Sequence, residues 1–88
     1  MDIDQGFEQA VEESKSLSEK PSTETLLKLY SLYKQATEGD VHGDPPANPF
    51  DFVNKAKYEA WLALKGKSKE AAMQDYVNLV ANLKQQYS

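Results

Sequence analysis

Apolar residues recur three and four positions apart in four stretches of the chain, and each stretch is bounded by residues that start or stop helices. The first runs from about Asp4 to Leu17, with Ile3, Phe7, Ala10, Val11, Ser14 and Leu17 at helical spacing. It ends at "SEKPS", because the residue before Pro21 is pushed away from helical geometry. Ser22 or Thr23 caps the second stretch and Glu24 complements its N-terminal dipole. Leu26, Leu29, Tyr30, Tyr33 and Thr37 then share one face, and Gly39 supplies the stop. Residues 40–50, "DVHGDPPANPF", hold three of the four prolines and predict a single long loop. Asp51 caps a third helix carrying Val53, Ala56, Ala60, Trp61 and Leu64, which ends at Gly66. Ser68 caps a fourth, with Ala72, Met73, Tyr76, Val80, Leu83 and Tyr87 on its inner face. No bounded β-branched run alternates with period two. The pattern predicts an all-α protein, one domain over residues 1–88, built as a four-helix bundle with one long loop between helices 2 and 3.

Two lysines interrupt the apolar stripes. At about 100° per residue, with Leu26 at zero on the second helix, Tyr33 falls at about −20°, Tyr30 at about 40°, Lys34 at about 80° and Leu27 at about 100°. On the third helix, with Val53 at zero, Lys57 falls at about 40° and Trp61 at about 80°. A lysine among apolar groups loses hydration, so its ammonium must reach water, pair with a carboxylate or meet an external anion. Glu8, Glu12, Glu59 and Asp75 project away from these faces, which leaves few internal carboxylates to serve. Two such lysines on successive helices fit a shared anion, most simply a phosphate, for which lysine is a mobile point charge. Tyr30, Tyr33 and Tyr76 add phenolic hydroxyls and aromatic faces, which suit a phosphorylated ligand with a flat base, although inward tyrosines also serve simply as core.

Composition narrows the field. The charged fraction of 27% and hydrophobic fraction of 40% are those of a soluble domain with a modest core. The net charge is −4 and the sequence contains no arginine, which argues against nucleic acid. The acidic start, "MDIDQGFEQA", lacks the order of a signal peptide, no apolar run approaches a membrane span, and there is no cysteine; a cytoplasmic protein is expected. The acidic surface and the want of a basic amphipathic helix speak against membrane insertion. The one histidine, His42, lies in the proline loop, leaving little from which to build a nucleophile and base, so no enzyme is expected. Neither a metal site nor a cofactor is expected.

The segment "LYSLYKQATEGD" (29–40) is similar to the pattern Tyr-x-x-Tyr-Lys-Gln-Ala-Thr-x-Gly-Asp of the acyl-CoA-binding protein family. "DFVNKAKYEAWLALKGKSKEAAMQDY" (51–76) resembles a second family run, and "FEQAVEESKSL" with the following "KPS" also fits, so the resemblance covers nearly the whole chain. Tyr58 stands where the family usually has tryptophan, and Val53 where it often has lysine. The resemblance implies an up-down-down-up bundle that binds long-chain fatty acyl-CoA, with no separate cofactor. It implies that Tyr30, Lys34 and Lys57 hold the CoA 3′-phosphate, that Tyr33 stacks on the adenine, that Tyr76 lines the head-group and acyl site, and that Lys15 and Leu26 lie along the groove. It further implies a monomer that carries and buffers acyl-CoA, meeting membranes or acyl-CoA-using enzymes only transiently. A helical protein–protein interaction module without a small ligand is the alternative, and it leaves the two enclosed lysines unexplained.

Overall fold

Each expected cap forms the hydrogen bond that defines it, and these bonds fix where the helices begin. A computed structural model describes residues 3–87, in which α1 spans Ile3–Ser14, α2 Thr23–Glu38, α3 Phe52–Leu62 and α4 Lys69–Tyr87, with no strand among the described residues. The Ser22 hydroxyl accepts from the Thr25 N–H (3.2 Å), the Asp51 carboxylate from the Asn54 N–H (3.4 Å) and the Ser68 hydroxyl from the Ala71 N–H (3.1 Å). Gly39, at φ 82°, closes α2 by donating its N–H to the Gln35 carbonyl (3.1 Å).

Two boundaries fall short of the expected ones. α1 stops at Ser14 rather than Leu17, because the Lys15 and Ser16 N–H groups bond three residues back, to Glu12 and Glu13, and tighten the last turn. α3 stops at Leu62 rather than Gly66 for the same reason: Leu64, Lys65 and Lys67 each bond three residues back. Leu17 and Leu64 still pack, half-buried, against the core from these turns.

The helices lie in the spatial order α1, α4, α2, α3. α4 packs against both α1 and α2, and α3 packs on α2 alone. Directions follow from which residues meet. Lys57 lies over Tyr30 and Trp61 beside Lys34, so α2 and α3 run parallel. Glu13 pairs with Lys84, and Phe7 touches Tyr76, so α1 and α4 run parallel to each other. The Gln35 amide, near the end of α2, bonds the Lys67 carbonyl just before α4, so α2 is antiparallel to α4. This is the up-down-down-up order, and it needs the long 39–51 connection to return the chain along α2.

The core comprises Phe7, Ala10, Leu29, Leu32, Ala36, Ala72, Tyr76, Val80 and Leu83. For α4 the expected inner face is the observed one, with Met73 half-buried; the Tyr87 side chain lies outside the described residues. For α2 the core face is Leu29, Leu32 and Ala36, turned about 80° from the stripe centred on Leu26. On α3, Val53 was expected to face inward and is instead 66% exposed. α3 has α2 as its one helical neighbour, met by Lys57 and Trp61, and Val53, with Phe50 and Phe52, stays in solvent.

Candidate functional site

Because α1 and α2 both rest on α4 and reach each other through side chains such as Phe7 and Tyr33, a groove remains between them. A cleft of about 330 Å³ in this groove is lined by Val11, Ser14, Lys15, Leu26, Leu29, Tyr30, Tyr33 and Tyr76. Five of the seven expected site residues, Lys15, Leu26, Tyr30, Tyr33 and Tyr76, therefore share one concavity. The α2 face read from the sequence as a core stripe is the wall of this cleft, which is why Tyr33 on that face remains 42% exposed.

The two lysines do not line the cleft itself. They sit beside its Tyr30 wall, in successive layers of the α2–α3 interface. The Lys57 ammonium lies 5.3 Å from the centroid of the Tyr30 ring, and one turn further along both helices the Lys34 ammonium lies 5.1 Å from that of Trp61. Parallel helices with matched i, i+4 steps create this repeat: Tyr30 and Lys34 on α2, Lys57 and Trp61 on α3. Trp61 is fixed in turn by its indole N–H, which donates to the Gly39 carbonyl (2.9 Å).

Lys34 also has a carboxylate partner that the sequence reading did not find. Its ammonium donates to Glu38, one turn on, and the other oxygen of Glu38 pairs with His42 Nε2 (2.9 Å). This bond holds the Lys34 pKa above its ordinary value, and the same bond, with that from His42, holds Glu38 below its own. Lys57 has no ion-pair partner among the described residues.

The remaining aromatic residues divide the groove. Tyr76 is 4% exposed; its hydroxyl donates to Ser14 Oγ (3.1 Å), and burial pushes its pKa up. Phe7 meets Tyr76 edge-on at 5.1 Å and stacks with Tyr33 at 6.0 Å. Beyond the Phe7–Tyr33 pair a second cleft of about 600 Å³ runs toward Asp4, Glu8, Thr37 and Lys69, sharing Val11 and Tyr33 with the first. Lys15 is at the rim, exposed and 3.9 Å from Glu12.

Gln35 and Asp40 went unweighed in the sequence and hold the site's frame. Gln35 is fully buried, and its amide donates to Asp40 Oδ1 (2.9 Å) and the Lys67 carbonyl (2.7 Å). Asp40 also accepts the Gly66 N–H (2.8 Å), and these bonds, the Gly66 one foremost, lower its pKa. A glutamine five residues before an Asp that follows Gly was the available signal. It was missed because Gln35 lies about 180° from Leu26 and reads as solvent-facing.

Among the described residues no helix is long and apolar enough to cross a membrane, and no cluster of His, Cys, Asp or Glu is suited to a metal ion. The arrangement offers an apolar and aromatic groove with cationic groups beside it, suited to an amphiphile with an anionic head.

Comparison with known proteins gives the same picture. Residues 4–80 match the family model described as acyl CoA binding protein. The chain is 48% identical over 83 residues to the acyl-CoA-binding domain-containing protein 1 of Oryza sativa subsp. japonica, covering 94% of this chain and 90% of that one. It is 52% identical over 79 residues to the enoyl-CoA delta isomerase 2 of Rattus norvegicus, covering 90% of this chain but only 20% of the isomerase. The crystal structure of the Oryza sativa acyl-CoA-binding protein 2 superimposes with a TM-score of 0.90 at 41% identity, over 97% of this chain and 93% of that one.

Proposed function

The chain belongs to the acyl-CoA-binding protein family, and from that premise we propose that it is a non-catalytic carrier and buffer of long-chain fatty acyl-CoA in the cytoplasm. The observation that carries the reading is the pair of ammonium groups layered over Tyr30 and Trp61 at the edge of the apolar groove. Lys57, Lys34 and the Tyr30 hydroxyl take the CoA 3′-phosphate by charge-assisted hydrogen bonds. Tyr33, backed by Phe7 and exposed, takes the adenine. The acyl chain lies along Leu26 and the Tyr76 floor, with Lys15 at the rim. The likeness to the isomerase concerns a fifth of that enzyme's length and carries no activity to this chain.

Titration calorimetry with palmitoyl-CoA, CoA and palmitate tests the reading. One palmitoyl-CoA is expected per chain, bound far more tightly than palmitate, with CoA alone between them. Equal affinity for palmitoyl-CoA and palmitate overturns the phosphate anchor.

A further inference from the structure

Glu38 is one helical turn after Lys34, and His42 is four residues further on, beyond the stop at Gly39. The positive φ of Gly39 turns the chain back, so that His42 comes over the end of α2 with its ring edge-on to Trp61 at 5.3 Å. Glu38 is thereby held between two donors, Lys34 on Oε2 and His42 Nε2 on Oε1. Of the two lysines assigned to the phosphate, Lys57 has no carboxylate to give up, whereas Lys34 already holds an anion supplied by its own helix.

From this geometry we infer that Glu38 is a built-in counter-anion that occupies Lys34 in the empty protein and weakens phosphate binding, and that protonated His42 draws it away. The inference rests on the head-group site proposed above. An incoming phosphate must displace Glu38 or share Lys34 with it, so the strength of the Lys34–Glu38 pair is subtracted from the ligand's gain. Neutral His42 offers Glu38 one N–H bond. Once cationic, it offers a full charge. Glu38 then favours His42, and Lys34 is released to the ligand.

The neighbouring groups leave this exchange to these three residues. Tyr30 and Tyr33 face Lys34 from α2, and Trp61 faces both Lys34 and His42 from α3. Asp40 is turned away onto the Gly66 N–H and Gln35, with Lys65 acting on it from the α3–α4 turn. The Lys69 side chain reaches the level of Gly39 from α4, and the Tyr58 hydroxyl donates to the Gly43 carbonyl (3.4 Å).

The test is calorimetric titration of palmitoyl-CoA and its 3′-dephospho form into wild type, Glu38→Gln and His42→Gln at pH 7.5 and 5.5, in low salt. Glu38→Gln, an exposed position whose fold is checked by circular dichroism, is expected to bind palmitoyl-CoA roughly two- to fivefold tighter than wild type at pH 7.5. The advantage is expected to vanish for the dephospho ester and to shrink at pH 5.5. Comparing variants at one pH cancels the ligand's own ionisation. In the His42→Gln background the gain from Glu38→Gln is expected to be equal at both pH values. Failure of wild type to bind palmitoyl-CoA overturns the head-group reading and this inference together. Wild-type binding with an unchanged or weakened Glu38→Gln overturns the inference alone, as does an equal gain for the dephospho ester.

Discussion

Two buried polar side chains on α2 make a sharp contrast, and replacing each tests what holds the frame of the site. Gln35 is wholly buried and ties α2 to the Lys67 carbonyl before α4 and to Asp40 in the loop; Ser31, 4% exposed, bonds only the Lys28 carbonyl of its own helix. Gln35→Leu keeps the bulk and removes the donor. It forfeits two bonds, a neutral one of about 0.5–1.5 kcal/mol and one to the Asp40 carboxylate that water replaces at that exposed group, and it leaves the Lys67 carbonyl unpartnered, at about 1–3 kcal/mol. Part of this is returned, because Gln35 Oε1 is itself buried without a partner and disappears with the substitution. The expected net loss is about 2 kcal/mol. That corresponds to about 8–16 °C in Tm for a domain of this size, or about 2 M in urea midpoint at a slope of about 1 kcal/mol per M. Ser31→Ala loses only a bond within its helix and gains helix propensity, so it is expected to stay within about 0.5 kcal/mol of wild type. Urea titrations and thermal melts followed by far-UV circular dichroism read both variants. A Gln35→Leu protein as stable as wild type, or matched by Ser31→Ala, refutes the argument that the amide fastens α2 to the turn before α4.

Further expectations concern ligand and pH. Lys57→Met is expected to weaken palmitoyl-CoA roughly 10- to 100-fold by calorimetry, and Lys34→Met to weaken it less, since losing Lys34 also frees the ligand from competing with Glu38. Saturating palmitoyl-CoA at about 100 times its Kd is expected to raise Tm by about 10–20 °C in a thermal melt, and palmitate by far less. Asp40 and Glu38 have pKa values below their ordinary 3.8 and 4.5, so the unfolded chain takes up protons more readily as acid is added. Their contribution is complete above about pH 5 and is lost as pH falls through the folded values; urea midpoints across pH 2.5–6 are expected to fall in acid, and less steeply for Asp40→Asn.

Capping residues and periodicity made the helices legible because their signals are local: Ser22, Asp51, Ser68 and Gly39 each bond within four residues. The inner face of α4 from Ala72 to Leu83 was legible because it is one long buried face. α2 was not, because α4 and α3 press on it from two sides and the groove opens on a third. A single stripe cannot describe a helix with three environments, so the groove wall at Leu26 and Tyr33 read as core and the buried Gln35 read as surface. Val53 failed for a related reason, since α3 has one helical neighbour and a wheel does not show which of its apolar residues that neighbour covers. The lysines were found because a charge inside an apolar arc is conspicuous on any wheel. The carboxylate partner of Lys34 is an i, i+4 neighbour on its own helix, Glu38, and not a residue of a facing helix.

That α3 is held by a single neighbour bears on how this molecule can change over time. Of the side chains that clasp it to α2, Tyr30 with Lys57 and Lys34 with Trp61, all but Trp61 are assigned to the ligand's head group. Grip on cargo and grip on one's own architecture are therefore a single inherited trait. A substitution that tightened the clasp with a better internal pair would make the empty protein sturdier and a worse host. One that loosened it would leave α3 waiting for cargo to seat it, and amide exchange along α3 would slow on loading more than along α4.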